Sequence, residues 1–226
     1  MEGLKETSSI IRDNKYQSIN ESKLYFSIKR LIDVIGALIG MFLFFPLFIV
    51  IAITMKIQDK KGTIFFRQKR VGKHGEIFYI YKFRSMVSNA EQKLKENKEL
   101  YEKYLKNNYK LEAHEDPRIT KLGNFLRKTS LDELPQLINV LKGNMTLVGP
   151  RPVVEEELME YGENVNKFLS VKPGVTGYWQ VSGRSNVGYP ERVDLELYYV
   201  YNQSLLFDLR IIILTIWMVL IRRGAY

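Results

Sequence analysis

The feature that most constrains this chain is an apolar run from Leu31 to Met55, LIDVIGALIGMFLFFPLFIVIAITM. Its 25 residues contain one charged side chain, Asp33, near the start. As a helix, such a run extends about 37 Å, enough to cross a hydrocarbon core of about 30 Å. Pro46 lies in its interior, where proline removes a backbone hydrogen bond and bends a helix. The run therefore predicts a helical membrane element with a break at Pro46.

Two membrane paths are compatible with this run. A helix that spans the bilayer usually carries its excess of lysine and arginine on the cytoplasmic side. A re-entrant hairpin of two half-helices instead returns both ends to one face, so both flanks would be basic. Basic residues lie on both flanks, which favours the hairpin. The alternative is one spanning helix that is bent at Pro46. They are Lys23, Lys29 and Arg30 before the run, and Lys56, Lys60, Lys61, Arg67, Lys69 and Arg70 after it.

The composition narrows the classes of partner and of chemistry. The 226 residues carry a net charge of +9, which calls for an anionic partner such as nucleic acid, acidic lipid or a phosphorylated substrate. No nucleic-acid-binding motif accompanies this charge, so the apolar run favours a membrane. The absence of cysteine excludes disulfides, thiolate metal sites and thiol catalysis. The two histidines, His74 and His114, lack metal-ligand spacing and are expected at the surface.

The centre of the chain, from Lys121 to Pro152, holds the strongest candidate for chemistry. Within it, Asp132 and Glu133 stand side by side among apolar residues, shortly before Pro135. Proline is favoured at the first position of a helix, so we predict a helix that begins at Pro135 with both carboxylates just ahead of it. In the competing register Ser130 would cap a longer helix. The ring of Pro135 would then clash with the carbonyl four residues earlier, which disfavours that register.

Two adjacent carboxylates at the positive end of a helix suit phosphate chemistry. One can act as a nucleophile toward phosphorus, as in enzymes that form aspartyl phosphates. The other can bind Mg²⁺, which typically takes one or two protein carboxylates together with phosphate oxygens. Arg127, Lys128 and Arg151 are close in sequence, and a guanidinium can bind phosphate through two hydrogen bonds. The alternative is a capped helix whose charged entry has no chemical role.

The rest of the chain predicts a small α+β domain that is mainly helical. Residues 62–86 are rich in Ile, Phe, Tyr and Thr around Gly72–Gly75, which predicts a β-hairpin. A loop at 172–185 contains three glycines, which suits close approach of the backbone to a ligand. Helices are predicted at 88–113, 119–128, 155–168 and 193–201.

The C-terminal run from Ile211 to Ile221 is about 16 Å long as a helix, too short to span a bilayer. Charged residues on both sides of it indicate an amphipathic helix in the headgroup plane, and a packed core helix is the alternative. Composition changes most strongly near residue 56. We therefore predict a polar tail at 1–22, a membrane element at 23–56, and a catalytic domain at 57–226 that ends in the interfacial helix.

In combination, these residues resemble the bacterial sugar transferase family, the monotopic phosphoglycosyl transferases that begin glycan assembly on a polyprenol phosphate. The similarity runs from about Lys29 to the C-terminus, and the joint order of its motifs is specific. The motifs are Lys29-Arg30 with Asp33, Pro46, Arg67-Gln68, Arg70-Val71-Gly72, Lys82-Phe83-Arg84-Ser85-Met86, Asp116-Pro117-Arg118-Ile119-Thr120, Arg127, Ser130-Leu131-Asp132-Glu133-Leu134-Pro135-Gln136, Val148-Gly149-Pro150-Arg151-Pro152, Lys172-Pro173-Gly174-Val175-Thr176-Gly177, Gln180-Val181-Ser182-Gly183-Arg184 and Gly224-Ala225-Tyr226.

The resemblance implies a re-entrant membrane helix hairpin, with the catalytic domain on the cytoplasmic face of the bacterial inner membrane. It implies transfer of a sugar-1-phosphate from a UDP-sugar to undecaprenyl phosphate, with release of UMP and a need for Mg²⁺. This step initiates assembly of an exopolysaccharide or another glycoconjugate. Glucose and galactose are the expected sugars, and N-acetylated sugars are alternatives. Membrane lipids are expected partners, nucleic acid is not, and a homo-oligomer is left open.

The resemblance also implies roles for individual residues. Asp132 is expected to attack the phosphorus on the sugar side, which gives a covalent phosphosugar intermediate and ping-pong kinetics. Glu133 is expected to bind the metal, and Arg127 to hold the aspartate or the phosphates in place. Further contacts to substrate or phosphate are expected from Arg184, Arg151, Lys82 and Arg84. The membrane hairpin is expected to include Lys29, Arg30, Asp33 and Pro46.

The chain departs from the family pattern at a few positions. Phe45 replaces a frequent serine whose hydroxyl could bond a carbonyl freed by Pro46, and Asn144 stands where aspartate is usual. The similarity is to the short members of the family, which lack further N-terminal membrane helices. Two other classes remain as alternatives: a basic, membrane-tethered nucleic-acid-binding protein, and a non-catalytic membrane scaffold.

Overall fold

The structure is a computed structural model that describes residues 23–106, 111, 115–183 and 187–221. The predicted polar tail at 1–22 lies outside the described residues. The described chain divides into two compact units. The first unit comprises 23–43, 67–81 and the described part of 136–221, and the second comprises 44–66 and the described part of 82–135. The predicted boundaries of the three parts stay predictions.

The longest element is helix α1, Lys23–Gln58, with 36 residues. It is long and apolar enough to cross a membrane, and it is the one such helix among the described residues. Fourteen of its large apolar side chains are exposed, Phe42 at 86%. An apolar surface of this extent marks a membrane or an interaction surface. A membrane environment accounts for the exposed face.

Helix α1 continues through Pro46 without a gap in its helical assignment. The predicted break at Pro46 is therefore not a gap between two separate helices, and the predicted re-entrant path stays a prediction. A proline inside a helix removes one hydrogen bond and bends the helix axis, but neighbouring residues can keep helical angles. The two halves of α1 still belong to different units, because the division between units falls at Leu43 and Phe44.

A β-hairpin follows α1, as the sequence predicts. Strands β1, Phe65–Val71, and β2, Ile77–Phe83, pair with each other and are joined by a 3₁₀ turn at Lys73–Gly75. The mainly helical α+β class is thus confirmed. The hairpin contributes to both units, since Arg67–Tyr81 belongs to the first and its outer ends to the second.

The second unit is built around a small apolar core. Ile51 and Met55 of α1 pack with Phe83 of β2 and Leu126 of helix α4, Lys121–Lys128, and Leu131 packs against this cluster. Helices α2, Ala90–Glu96, and α3, Lys98–Lys106, precede α4. They replace the single helix predicted at 88–113, part of which lies outside the described residues. The chain leaves helical angles at Asn97, whose side chain accepts a hydrogen bond from the Leu100 N–H and so starts α3.

The first unit contains the remaining elements. Its short parallel sheet pairs β3, Thr146–Val148, with β4, Gly174–Thr176, in the register Thr146 to Gly174 and Val148 to Thr176. The helices are α5, Gln136–Lys142; α6, Val165–Phe168; α7, Tyr178–Ser182; α8, Glu191–Tyr201; and α9, Leu205–Leu220.

Two predictions for the first unit need correction. The segment 172–185 is not a simple loop, because it contains β4 and α7. Gly174 lies so close to the backbone of Gly149 that a Cβ would overlap it, so this glycine serves packing between chain segments. The predicted helix at 155–168 is mostly 3₁₀, Glu155–Asn164, and is interrupted at Gly162, which has a φ of 48°.

The N-terminal half of α1 carries a stripe of buried residues spaced by four. Tyr25, Lys29, Asp33 and Ala37 are all less than a tenth exposed, so they lie on one face of the helix. Lys29 donates to a carboxylate oxygen of Asp208 on α9 at 2.6 Å and to the carbonyl of Val148 at 2.9 Å. This polar stripe fastens the apolar helix to the first unit.

Removal of Lys29 from this stripe should destabilise the protein. The change Lys29→Met leaves the buried carboxylate of Asp208 without its cation, which typically costs about 3–5 kcal/mol. The measurement is unfolding in detergent micelles, with Lys23→Met at an exposed position of the same helix as the control. Equal melting of the two variants would contradict a structural role for the ion pair.

Candidate active site

The adjacent carboxylates lie in a 3₁₀ turn, Leu131–Glu133, between α4 and α5. Asp132 is buried, with 9% of its surface exposed. Ser130 ahead of the turn has a φ of 56°, in the left-handed region, and its side chain does not cap a helix. The register with a Ser130 cap is therefore excluded, and both carboxylates precede the next helix as predicted.

Three residues of the site are each next in sequence to a residue that packs in or against the core of the second unit. Lys82 precedes Phe83, which is 1% exposed, and the alternation of a strand directs Lys82 away from that core. Arg127 follows Leu126, which is fully buried, and Asp132 follows Leu131. Packing of these apolar neighbours fixes the backbone from which the charged side chains extend.

Lys82 and Glu133 form an ion pair. The Lys82 Nζ lies 2.6 Å from Glu133 Oε1, and the two side chains are 18% and 24% exposed. The pair links strand β2 to the turn that carries Asp132. Of the basic residues predicted to contact phosphate, Lys82 is therefore placed beside the carboxylates.

Arg127 makes one hydrogen bond, from Nε to the Ser85 Oγ at 2.8 Å. Among the described residues, neither terminal nitrogen of its guanidinium has a hydrogen-bond partner. The positive charge of Arg127 acts on two carboxylates, Asp132 and Asp116. Asp116 is already bound on both oxygens by Arg118, at 2.8 and 2.7 Å. The terminal nitrogens of Arg127 are thus donors suited to an anion that carries its own oxygens.

Burial, and after it the neighbouring charge of Glu133, raise the pKa of Asp132 to about 6. The positive charges of Lys82 and Arg127 oppose this increase. Asp132 is therefore mostly ionised at pH 7 despite its burial. A carboxylate in this state is available as a nucleophile without a separate base.

The donor set fits a magnesium ion bound together with phosphate. Asp132 and Glu133 offer hard carboxylate oxygens. After burial, the charge of Glu133 is the next cause of the raised pKa of Asp132, and a divalent cation would offset this repulsion. In the described part of the chain, no group of three or more acidic or histidine side chains is arranged so that it could hold a metal ion by itself. One or two carboxylates with phosphate oxygens and water are the usual ligands of Mg²⁺, and this site provides such a pair.

Three further arginines are predicted to bind substrate. Arg84 of the second unit donates to Asp59 at 2.7 Å and to Ser88 at 2.6 Å, which orders the chain after α1. Arg151 belongs to the first unit, where its guanidinium lies 5.8 Å from the centroid of the Trp179 ring. Arg184 lies outside the described residues. The phosphate-binding roles of these three arginines stay predictions.

The charged residues predicted for the membrane hairpin have protein partners in the first unit. The Arg30 guanidinium donates to the carbonyls of Val140 and Leu141 at 2.6 and 2.9 Å, the last turn of α5. Asp33 accepts from the Thr146 hydroxyl at 2.7 Å and the Leu147 N–H at 2.8 Å. These residues, with Lys29, dock α1 onto β3 and its neighbours.

Two features of the site were missed by the sequence interpretation. Ser85 and the Asp116–Arg118 pair surround Arg127, although their motifs gave no separate role to either. A serine hydroxyl has no charge or spacing that distinguishes it in a sequence. The roles of Ser85 and of the Asp116–Arg118 pair become visible only from their tertiary contacts.

The chain matches proteins of known family. A family model described as bacterial sugar transferase matches residues 24–222. The chain is 46% identical over 202 residues to the undecaprenyl-phosphate galactose phosphotransferase of Salmonella typhimurium, covering 88% of this chain and 42% of that protein. It is 44% identical to the exopolysaccharide production protein ExoY of Rhizobium meliloti, covering 88% of each. The UDP-glucose:undecaprenyl-phosphate glucose-1-phosphate transferase of Escherichia coli is 37% identical, with 88% of this chain and 41% of that protein covered. The chain thus spans about two fifths of the Salmonella and Escherichia proteins.

The raised pKa of Asp132 predicts a pH-dependent effect on stability. Between pH 3.8 and about 6 the folded protein binds more protons at this group than the unfolded chain does, so its contribution to stability falls as pH rises. Asp132→Asn should therefore raise the free energy of unfolding at pH 7 by about 1–3 kcal/mol and have little effect near pH 4. Denaturant unfolding of both proteins at the two pH values is the measurement.

Asp116→Asn is a control for which we expect the opposite change in the free energy of unfolding. Burial opposes ionisation of Asp116, but the hydrogen bonds from Arg118 outweigh it and lower the pKa. The Asp116 variant should lose stability at pH 7. A loss of stability at pH 7 in Asp132→Asn as well would contradict the environment described for Asp132.

Proposed function

Because the chain belongs to the bacterial sugar transferase family, we propose that it transfers a sugar-1-phosphate from a UDP-sugar to undecaprenyl phosphate. The observation that carries this proposal is the buried, mostly ionised Asp132 with cationic groups beside it. The names of the relatives supply the chemical class of the reaction: a sugar-phosphate transferred to undecaprenyl phosphate. The name of ExoY suggests exopolysaccharide production as the pathway.

The proposed reaction has two displacements at one phosphorus atom. A carboxylate oxygen of Asp132 attacks the phosphorus that bears the sugar, and the bond from that phosphorus to the bridging oxygen breaks. The electron pair leaves with UMP, and an acyl phosphate joins Asp132 to the sugar. A phosphate oxygen of undecaprenyl phosphate then attacks the same phosphorus, which releases the carboxylate and forms the lipid diphosphate sugar.

The charges of the site suit both displacements. Phosphoryl transfer is accelerated by positioning and by positive charge on the phosphoryl oxygens. We assign Glu133 to the binding of Mg²⁺, which when bound supplies positive charge to the diphosphate. Lys82 holds Glu133 in place, and Arg127 presents two terminal nitrogens to phosphate oxygens. Arg151 and Arg184 are proposed to contact substrate from the rest of the chain.

The membrane arrangement is also part of the proposal. Helix α1 enters and leaves the same leaflet, bent near Pro46, and the catalytic residues lie on the cytoplasmic face of the inner membrane. The exposed apolar side chains of α1 support its contact with lipid. Helix α9 has Ile211 fully buried and Leu206 80% exposed, which supports a helix with one packed face and one face in the headgroup region.

A direct test of the reaction is a search for the covalent intermediate. Protein mixed with UDP-galactose or UDP-glucose and Mg²⁺, without lipid, should release about one UMP per active site. It should gain the mass of a hexose phosphate on a peptide that contains position 132. Asp132→Asn should lose the adduct and at least about 10³-fold in rate, the scale for a covalent nucleophile.

Controls separate this reaction from the alternatives. EDTA should stop both UMP release and adduct formation, and excess Mg²⁺ should restore them. Lys128→Ala, at an exposed position next to Arg127, should retain the wild-type rate. Lipid product formed by wild-type protein that never carries the adduct would refute the covalent mechanism, and no turnover with any sugar nucleotide would favour a scaffold.

The membrane path has its own test. Because the chain has no cysteine, single cysteines can be introduced at the exposed positions Lys23 and Lys60. A re-entrant α1 places both positions in the cytoplasm, so a membrane-impermeant maleimide should label both in inverted vesicles and neither in intact spheroplasts. Labelling of one position from each side would instead establish a spanning helix.

A further inference from the structure

Ser85 is the one side chain among the described residues that holds Arg127. The Arg127 Nε donates to the Ser85 Oγ at 2.8 Å, and Ser85 is buried, with 9% of its surface exposed. A guanidinium with Nε fixed has its plane and the direction of its two terminal nitrogens fixed as well. Ser85 therefore orients the terminal nitrogens of a guanidinium whose charge acts on Asp132.

The position of Ser85 is itself fixed by backbone contacts. Its carbonyl accepts the Thr120 N–H at 3.1 Å, and Met86 forms an isolated antiparallel bridge with Ile119. Helix α4 then passes so close that a Cβ at Gly123 would overlap the Ser85 carbonyl oxygen. The side chain of Thr120 caps the same helix by accepting from the Gly123 N–H at 2.8 Å. These contacts between the chain after strand β2 and the start of helix α4 fix the position of Ser85 relative to Arg127.

The electrostatic surroundings explain why a positioning contact is needed. The charge of Arg127 interacts with both Asp132 and Asp116, and either carboxylate can attract a guanidinium that is free to move. Asp116 is bound on both oxygens by Arg118, which lies 5.0 Å from the ring centroid of Tyr104. A hydrogen bond at Nε keeps Arg127 from collapsing onto a carboxylate when no phosphate is present.

We propose that Ser85 is a positioning residue for phosphoryl transfer: it holds Arg127 so that the terminal nitrogens of the guanidinium bind the phosphate that Asp132 attacks. This inference rests on the proposed function and deepens it. Ser85 makes no contact with the substrate in this account. Its effect on the reaction passes entirely through Arg127.

The test is a double-mutant cycle on UMP release with a UDP-hexose and undecaprenyl phosphate. Ser85→Ala should lower kcat by about tenfold or more with a smaller change in KM, because a misplaced catalytic donor costs rate rather than affinity. In an Arg127→Ala background, Ser85→Ala should cause no further loss. Ser85→Thr keeps the hydroxyl and should recover most of the rate. Ser170→Ala, whose hydroxyl donates to the Lys167 carbonyl outside the site, is the matched control.

A second measurement does not depend on turnover. In protein labelled with ¹⁵N-arginine, the Nε–H signal of Arg127, identified by its loss in Arg127→Lys, should exchange slowly with water. The exchange should be about tenfold faster in Ser85→Ala and close to wild type in Ser85→Thr. This result stands even if the protein proves inactive on UDP-sugars, which would refute the proposed function alone.

Two outcomes would overturn the inference while leaving the proposed function intact. One is a wild-type kcat in Ser85→Ala. The other is an equal loss from Ser85→Ala in the wild-type and Arg127→Ala backgrounds, which would mean that Ser85 acts through the fold or through another group. Equal melting temperatures of Ser85→Ala and Ser170→Ala would show that a rate loss is not a loss of folding.

Discussion

The packing of Phe83 and Leu126 against Ile51 and Met55 is the interaction on which the second unit depends. It joins the end of the apolar helix, the end of the hairpin and helix α4 in one small core. Lys82 and Arg127 extend from the residues next to this core, and Leu131 brings the turn of Asp132 against it. Such close packing fixes the neighbouring backbone to a fraction of an ångström, which is the tolerance that the proposed phosphoryl transfer would need. A site made of loosely held charged side chains would collapse into ion pairs.

The second constraint is electrostatic. Burial of Asp132 beside Glu133 is unfavourable, and the raised pKa of Asp132 measures that cost. The positive charges of Lys82 and Arg127 offset part of that cost, and Lys82 forms its ion pair with Glu133.

The polar residues of helix α1 determine how this apolar helix packs on the first unit. When lipid is available, the hydrophobic effect gives an exposed apolar helix no preference for packing on a polar domain, because lipid tails are equally apolar. Lys29, Arg30 and Asp33 give it specific partners, namely Asp208, the last carbonyls of α5 and the start of β3. Each of these hydrogen bonds is directional, so the stripe sets the rotation of the helix about its axis. Residues interpreted as flanks of a membrane segment therefore have a docking role.

Sequence alone determined the elements whose signals are local: the long apolar helix, the hairpin around Gly72–Gly75 and the carboxylate pair ahead of a helix. The hydrophobic periodicity and the turn residues that predict these elements lie close together in the sequence. The motif order also identified the family. Tertiary structure alone decided that Ser85 holds Arg127, that Arg84 pairs with Asp59 and that α1 docks through its charged stripe. It also decided that the chain stays helical through Pro46. The physical reason is the same in each case: side-chain partners and helix bends depend on segments that are far apart in the chain. A local sequence pattern does not specify which charged residues will form a pair.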